Sequence, residues 1–147
     1  MENSLIARFN SLLRRKKFPV PFSGHHGHFI IGTGQPGAQR LDAHLTVLDN
    51  SSTVTGTGLL TQAINPPLHA NNAFHGLVHV LVFGGSTTQV YSLQGTALPP
   101  LLGAPHVTQL LITLNGVWGK EGKATYTYVV GAVFHEVKDV PVTVTWS

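Results

Sequence analysis

Short runs in which apolar and polar residues alternate fill the chain after residue 27. The clearest run has Leu41, Ala43, Leu45 and Val47 at every second position, with polar residues at the positions between them. Successive side chains of a strand point to opposite faces, so this alternation is typical of a strand with one buried face. No helical pattern of useful length occurs after residue 27. The sequence therefore predicts an all-β fold for this part of the chain.

Turn-forming residues divide this region into about eight segments of β-branched and Thr-rich sequence. We predict strands near residues 27–33, 40–48, 53–62, 74–83, 88–96, 107–117, 123–135 and 141–146. Residues 49–52, 84–86 and 120–122 are predicted hairpin connections, and residues 65–72 and 98–105 are predicted to be Pro-rich loops. This spacing is typical of a single β-sandwich or barrel of about eight mostly antiparallel strands. Residues 74–83 are almost continuously apolar, which predicts a strand covered on both faces.

The first 18 residues have a different pattern and are predicted to form a short basic amphipathic helix ahead of a β domain at 19–147. Apolar residues recur at helical spacing, and cations fill the last turn, where the helix dipole favours them. The apolar stripe contains Leu5, Ile6, Phe9, Leu12 and Leu13, and the cations are Arg14, Arg15, Lys16 and Lys17. Two interpretations remain open. The helix either packs on the β domain or contacts a partner or membrane, in which case Leu5, Phe9, Leu12 and the four cations are the contact residues.

Charge is concentrated at the N-terminus. Residues 1–17 carry five cations and one acid, a net +4, whereas the rest of the chain carries four cations and five acids, a net −1. The β domain thus lacks the basic surface that nucleic acids require. The chain has no Cys, which excludes disulfides and thiolate metal sites. It has no apolar run of about 20 residues, so it is not predicted to be transmembrane. Without a classical signal peptide, the default location is cytoplasmic, with non-classical export left open.

The most suggestive local motif is His25-His26-Gly27-His28. In an extended chain His26 and His28 point the same way, about 6–7 Å apart, so the two imidazoles can share one metal ion. A catalytic zinc or iron site needs a third histidine or a carboxylate, and the nearest acid in the sequence is Asp42. We therefore keep His26 and His28 as candidate ligands, beside the alternative that they are ordinary polar surface residues. No cofactor is predicted.

Other catalytic motifs lack the context that their chemistry needs. Residues 32–37 match the G-x-G-x-x-G pattern, but a strongly alternating strand follows where a dinucleotide fold needs a helix, so we predict a turn. The chain has no G-x-S-x-G elbow and few carboxylates for a glycosidase pair. We expect the protein not to be an enzyme.

Three short motifs together resemble a known family. They are Gln35-Pro36-Gly37-Ala38, Thr61-Gln62-Ala63 followed by Asn65-Pro66-Pro67-Leu68, and His75-Gly76. The sequence resembles a family of small all-β proteobacterial proteins classed as a domain of unknown function, over roughly residues 28–146. The resemblance implies one all-β domain and brings no activity or site residues with it.

The favoured functional hypothesis is a non-enzymatic binding or interaction module. Its partner would be a protein, a membrane surface or a carbohydrate, contacted through the N-terminal helix and the Pro-rich loops. The alternative is a small-ligand or metal-binding barrel, either a binding protein or an enzyme, organised around His26 and His28. The oligomeric state is not predicted.

Overall fold

Eight strands account for most of the described chain. A computed structural model describes residues 24–147, and these contain no helix. The strands are β1 (Gly24–Ile31), β2 (Arg40–Leu48), β3 (Thr53–Gln62), β4 (Leu68–Phe83), β5 (Ser86–Ala97), β6 (His106–Asn115), β7 (Glu121–Val130) and β8 (Val133–Trp146). The predicted helix and its contact residues Leu5, Phe9, Leu12, Arg14, Arg15, Lys16 and Lys17 lie outside the described residues.

The strands form a closed up-and-down barrel. Each strand pairs antiparallel with the next one along the chain, and β1 pairs with β8 to complete the ring. Of the two predicted architectures, the sandwich and the barrel, the structure is therefore the barrel. Closure gives each strand two hydrogen-bonded neighbours along the shared part of its length and leaves the ring without an edge strand.

The inward-facing residues of every strand fill the barrel. Leu41, Ala43, Leu45 and Val47 are at most 1% exposed, as their alternation predicted. The largest fully buried side chains in the barrel are those of Tyr91, Tyr126, Phe29, Ile31, Leu41, Leu45, Leu60, Leu110, Ile112 and Leu114. Their burial is the main source of stability, since a fully buried side chain of this size contributes about 1.5–3 kcal/mol.

The connections alternate between the two ends of the barrel because consecutive strands are antiparallel. We call the end at which β1 begins the N-terminal end. It holds Gly24, the connections at 49–52, 84–85 and 116–120, and the end of β8. The opposite end, which we call the distal end, holds the connections at 32–39, 63–67, 98–105 and 131–132. Residues 1–23 therefore join the barrel at its N-terminal end.

Several predicted boundaries are wrong, including that of the first strand, which is Gly24–Ile31 where 27–33 was predicted. The predicted strand 123–135 runs through a tight turn, because Gly131 and Ala132 both have positive φ angles, of 56° and 67°, and they separate β7 from β8. The predicted connection at 120–122 lies too late, since β7 already begins at Glu121. The predicted Pro-rich loop at 65–72 is also too long, since β4 begins at Leu68.

The prediction that residues 74–83 are covered on both faces is wrong. The outer face of the closed barrel meets solvent, so Leu77 on that face is 46% exposed, and the second half of the segment is exposed on both faces. Phe74 is 2% exposed and Val78 is 7% exposed, but Val82 and Phe83 are 66% and 74% exposed. The reason is that β4 is 16 residues long and extends beyond its neighbour β3, which pairs with it only as far as Leu77.

The two tyrosines buried in the barrel predict a loss of stability in alkaline solution. Burial raises the pKa of Tyr91, and burial together with the neighbouring Tyr128 raises the pKa of Tyr126. The unfolded chain releases these protons near the ordinary tyrosine pKa of 10.0, whereas the folded barrel retains them. We expect the free energy of unfolding to fall above about pH 10, by up to about 1.4 kcal/mol per pH unit for each tyrosine.

Urea unfolding from pH 8 to pH 11.5 measures this effect, with Tyr126→Phe as the comparison. Among the described residues the Tyr126 hydroxyl has no hydrogen-bond partner, so this substitution removes a titrating group without breaking a bond there. The variant should lose about half of the tyrosine contribution to the alkaline slope. An identical slope in wild type and variant would contradict the assignment.

Candidate functional site

The histidines predicted as metal ligands lie on the outer face of β1. His26 is exposed and His28 is half-buried, and the inward-facing Phe29 and Ile31 are fully buried. The two histidines lie on the same face of β1, as predicted, and this is the outer face, but they have different partners. His26 Nδ1 lies 2.8 Å from Thr46 Oγ1, and His28 Nε2 lies 2.5 Å from Asp42 Oδ1.

The register between β1 and β2 assembles a cluster around His28. His28 lies directly opposite His44, and their rings stack with centroids 4.3 Å apart. Asp42 is two residues from His44 along β2, so it lies on the same outer face. Asp42 Oδ1 is 3.8 Å from His44 Nε2. One nitrogen or oxygen atom from each of the three residues lies within 4.8 Å of those from the other two. We call His28, Asp42 and His44 the histidine–aspartate cluster.

The second carboxylate oxygen of Asp42 forms an ion pair with the Arg40 side chain. Arg40 Nη2 lies 3.3 Å from Asp42 Oδ2, on the side away from the histidine contact at Oδ1. Partial burial raises the pKa of the Asp42 carboxyl, but the hydrogen bonds and positive charges of His28 and Arg40 outweigh it, so that the pKa lies below its ordinary value of 3.8. Asp42 is therefore an ionised carboxylate at neutral pH.

An open depression of about 360 Å³ adjoins the cluster. Asp42 and His44 form one side of it, and strands β3 and β4 with the start of the 98–105 connection form the rest. Thr57, Asn71 and Leu98 are among its lining residues. The depression provides neutral polar groups and the apolar side chains of Leu59 and Leu98 next to the three candidate ligands.

A second distinctive surface lies at the N-terminal end of the barrel. Strand β3 pairs with β4 only as far as Leu77, and β6 pairs with β5 only as far as Thr88. Beyond these points β4 and β5 continue as a two-stranded ribbon, which we define as residues 79–87. Within the described chain, each arm of this β4–β5 ribbon has only the other arm as a strand partner.

The β4–β5 ribbon is exposed, and its β4 arm is apolar whereas its β5 arm consists of Ser86 and Thr87. Val80, Leu81, Val82 and Phe83 are 49%, 44%, 66% and 74% exposed, and no Asp, Glu, Lys or Arg occurs in residues 79–87. An uncharged apolar projection of this kind is uncommon on a protein surface and is typical of a contact site. The distal end also exposes apolar residues, including Leu101, Leu102 and Phe134, but these lie on separate connections and strand ends.

Aromatic residues support the base of the ribbon and close this end of the barrel. Trp118 and Trp146 are partly buried against the core and meet edge to face with ring centroids 5.1 Å apart. The Trp118 backbone N–H donates to Gln89 Oε1 over 3.1 Å. Gln89 lies on β5, two residues after the ribbon ends at residue 87. The two tryptophans thus lie at the N-terminal end of the barrel, packed against its core.

Sequence reasoning missed both assemblies in part. It identified His28 and noted Asp42, but pairing His28 with His44 required the β1–β2 register. It also read the ribbon segment as buried. The available signal for the ribbon was the length of the apolar run in β4. This run continues to Phe83, beyond the positions at which the shorter β3 can pair with it.

Comparison with known proteins places the chain in a family without assigning it an activity. A search of curated proteins gave no match. Within residues 24–147 there is also no helix with the length and apolarity needed to cross a bilayer. The sequence profile of a domain of unknown function, DUF1842, matches residues 25–133, which include strands β1 to β7. The match confirms the family type that the three short motifs indicated, and the chain belongs to the DUF1842 family.

Proposed function

We propose that this protein is a non-enzymatic module that binds an anionic membrane surface with the N-terminal end of its barrel. The observation that carries the proposal is the β4–β5 ribbon, an exposed hairpin with an apolar β4 arm and no Asp, Glu, Lys or Arg. In this proposal the ribbon inserts into the interfacial region of the bilayer, and the basic N-terminal segment contacts the lipid headgroups.

The ribbon has the composition that shallow insertion requires. Val82 and Phe83 are mostly exposed, and transfer of each such side chain out of water is worth about 1.5–3 kcal/mol. The connection between the arms, Gly84-Gly85, carries no charge that would have to be desolvated on insertion. Apolar insertion by one small element gives only marginal membrane binding, so a second contribution is needed.

The basic N-terminal segment supplies that second contribution. Residues 1–17 carry a net +4 and join the barrel at Gly24, at the same end as the ribbon. Each Lys or Arg near an anionic leaflet contributes about 1 kcal/mol. Charge complementarity therefore favours an anionic bilayer over a neutral one and over a neutral sugar, which offers no negative charge to this segment.

Sedimentation of the full-length protein with lipid vesicles tests the proposal. The wild-type protein should pellet with vesicles containing phosphatidylserine at low salt, remain in the supernatant with pure phosphatidylcholine, and dissociate in 0.5 M NaCl (about a 4 Å Debye length). The double variant Val82→Ser/Phe83→Ser should lower the partition coefficient at least about tenfold, since about 1.4 kcal/mol corresponds to that factor.

Two further variants separate the parts of the surface. Replacing Arg14, Arg15, Lys16 and Lys17 with Gln should lower binding at least about a hundredfold. The control Leu101→Ser/Leu102→Ser removes exposed apolar residues from the distal end and should bind like wild type. If wild type fails to pellet with anionic vesicles, or if the distal variant loses binding while the ribbon variant retains it, the proposal is wrong.

A further inference from the structure

We infer that the histidine–aspartate cluster is a binding site for a divalent transition-metal ion such as Zn²⁺. This site is independent of the proposed membrane contact, since its residues lie on the outer wall formed by β1 and β2. His28, Asp42 and His44 would each supply one ligand atom.

The three side chains already place one candidate ligand atom each within 4.8 Å of the other two. Asp42 Oδ1 lies 2.5 Å from His28 Nε2 and 3.8 Å from His44 Nε2. Zinc–ligand bonds of about 2.0–2.2 Å place neighbouring ligand atoms about 3.3 Å apart in a tetrahedral site. Conversion of the hydrogen-bonded cluster to a metal-bound one thus requires shifts of about 1 Å. The side chains can make such shifts because they are 41%, 32% and 68% exposed in the order His28, Asp42, His44.

The ligand types fit a borderline transition metal. Two imidazoles and one carboxylate form a common ligand set for zinc and for non-haem iron(II), whereas Mg²⁺ and Ca²⁺ prefer oxygen ligands alone. The strand backbones fix the spacing, because His28 and His44 are directly cross-strand and Asp42 follows on the same face. Both histidines can present Nε2 to the same carboxylate oxygen, which is the arrangement that a shared ion needs.

Arg40 orients the carboxylate for this role. Its guanidinium lies 3.3 Å from Asp42 Oδ2 and leaves Oδ1 facing the histidines. Hydrogen bonds from outer partners commonly hold metal-binding carboxylates in this way. The adjoining depression of about 360 Å³ leaves room beside Asp42 and His44 for water or a small ligand to complete the coordination.

Calorimetric titration of the chelator-treated full-length protein with ZnCl₂ tests the inference. The wild type should bind one equivalent of Zn²⁺ at its tightest site. His44→Ala and Asp42→Asn should each raise the Kd at least about tenfold, because even outer-shell partners of a metal site are worth that much. Both residues are on the barrel surface, and a thermal melt without metal should show that both variants remain folded.

His26→Ala is the matched control. His26 lies two residues from His28 on the same face of the same strand, but it contacts Thr46 instead of Asp42. The Kd of the His26→Ala variant for Zn²⁺ should remain within about twofold of the wild-type value. In a thermal melt, 1 mM ZnCl₂ should raise the melting temperature of wild type and of His26→Ala more than that of His44→Ala. Equal affinity in wild type, His44→Ala and Asp42→Asn, or an equal loss in His26→Ala, would overturn the inference and indicate only nonspecific histidine binding.

Discussion

Replacement of Asn72 with Ala should lower the free energy of unfolding by about 3–5 kcal/mol. Asn72 is fully buried inside the barrel and makes three hydrogen bonds. Its Nδ2 group donates to the carbonyl oxygens of Gly58 and Ala70 over 3.2 and 3.0 Å, and its Oδ1 accepts from the Val107 N–H over 2.6 Å. The side chain thus connects β4 with β3 and with β6.

The expected effect is large because Asn72 completes the barrel where two strands separate. The pairing between β5 and β6 ends at Gln94 and Gln109. The Val107 N–H therefore donates to the Asn72 side chain instead of to a backbone carbonyl of β5. Removal of the amide leaves this buried donor unpaired, at about 1–3 kcal/mol, and also creates a cavity.

Urea unfolding monitored by circular dichroism measures the Asn72 effect. Asn71→Ala is the control, since Asn71 is the adjacent residue and is exposed on the outer face. The control should change the free energy of unfolding by less than about 0.5 kcal/mol. A loss below about 1 kcal/mol in Asn72→Ala, with the control unchanged, would show that the three bonds contribute little net stability.

The second large effect is expected at Gly76, where Ala should destabilise the protein by about 3 kcal/mol or more. A Cβ atom at this position would overlap the backbone carbonyl of Ser92 and lie 2.8 Å from Leu93 Cα. Both atoms belong to the backbone of β5, so the two strands would have to move apart to accept even a methyl group. Glycine inside a strand is typical of such close backbone approaches.

The same thermal and urea measurements test this substitution, with Ser92→Ala as its control. The Ser92 side chain is exposed on the outer face of the adjacent strand, so its loss should change stability by less than about 0.5 kcal/mol. If Gly76→Ala melts within about 2 °C of wild type, β4 and β5 separate at low cost, and the close approach is not a constraint on the barrel.

The local pattern was sufficient to predict most strands. Strands β2 and β3 have the predicted bounds, 40–48 and 53–62, because clean alternation and turn-forming residues mark both ends. The β7–β8 turn was missed because Ala132 adopts a positive φ angle that its residue type does not suggest. The sandwich and the barrel could not be distinguished, since both bury one face of every strand and differ only in whether β1 meets β8.

The candidate sites show the same division. The shared direction of His26 and His28 follows from strand periodicity, so the sequence was enough to predict it. Which of them gains Asp42 and His44 depends on the β1–β2 register. The exposure of Phe83 depends on where β3 stops pairing with β4, and the role of Asn72 depends on where β5 and β6 part.

By itself, the sequence determined most of the strands within residues 24–147, the inward and outward faces of cleanly alternating strands such as β2, and the separation of a basic N-terminus from a nearly neutral β domain. These properties are local, since they depend on side-chain period, turn residues and charge. The tertiary structure alone decided that the sheet closes, that β4 and β5 project as an apolar ribbon, and that His28, Asp42 and His44 meet. These depend on strand register and length, which are set by pairing between residues far apart in the chain.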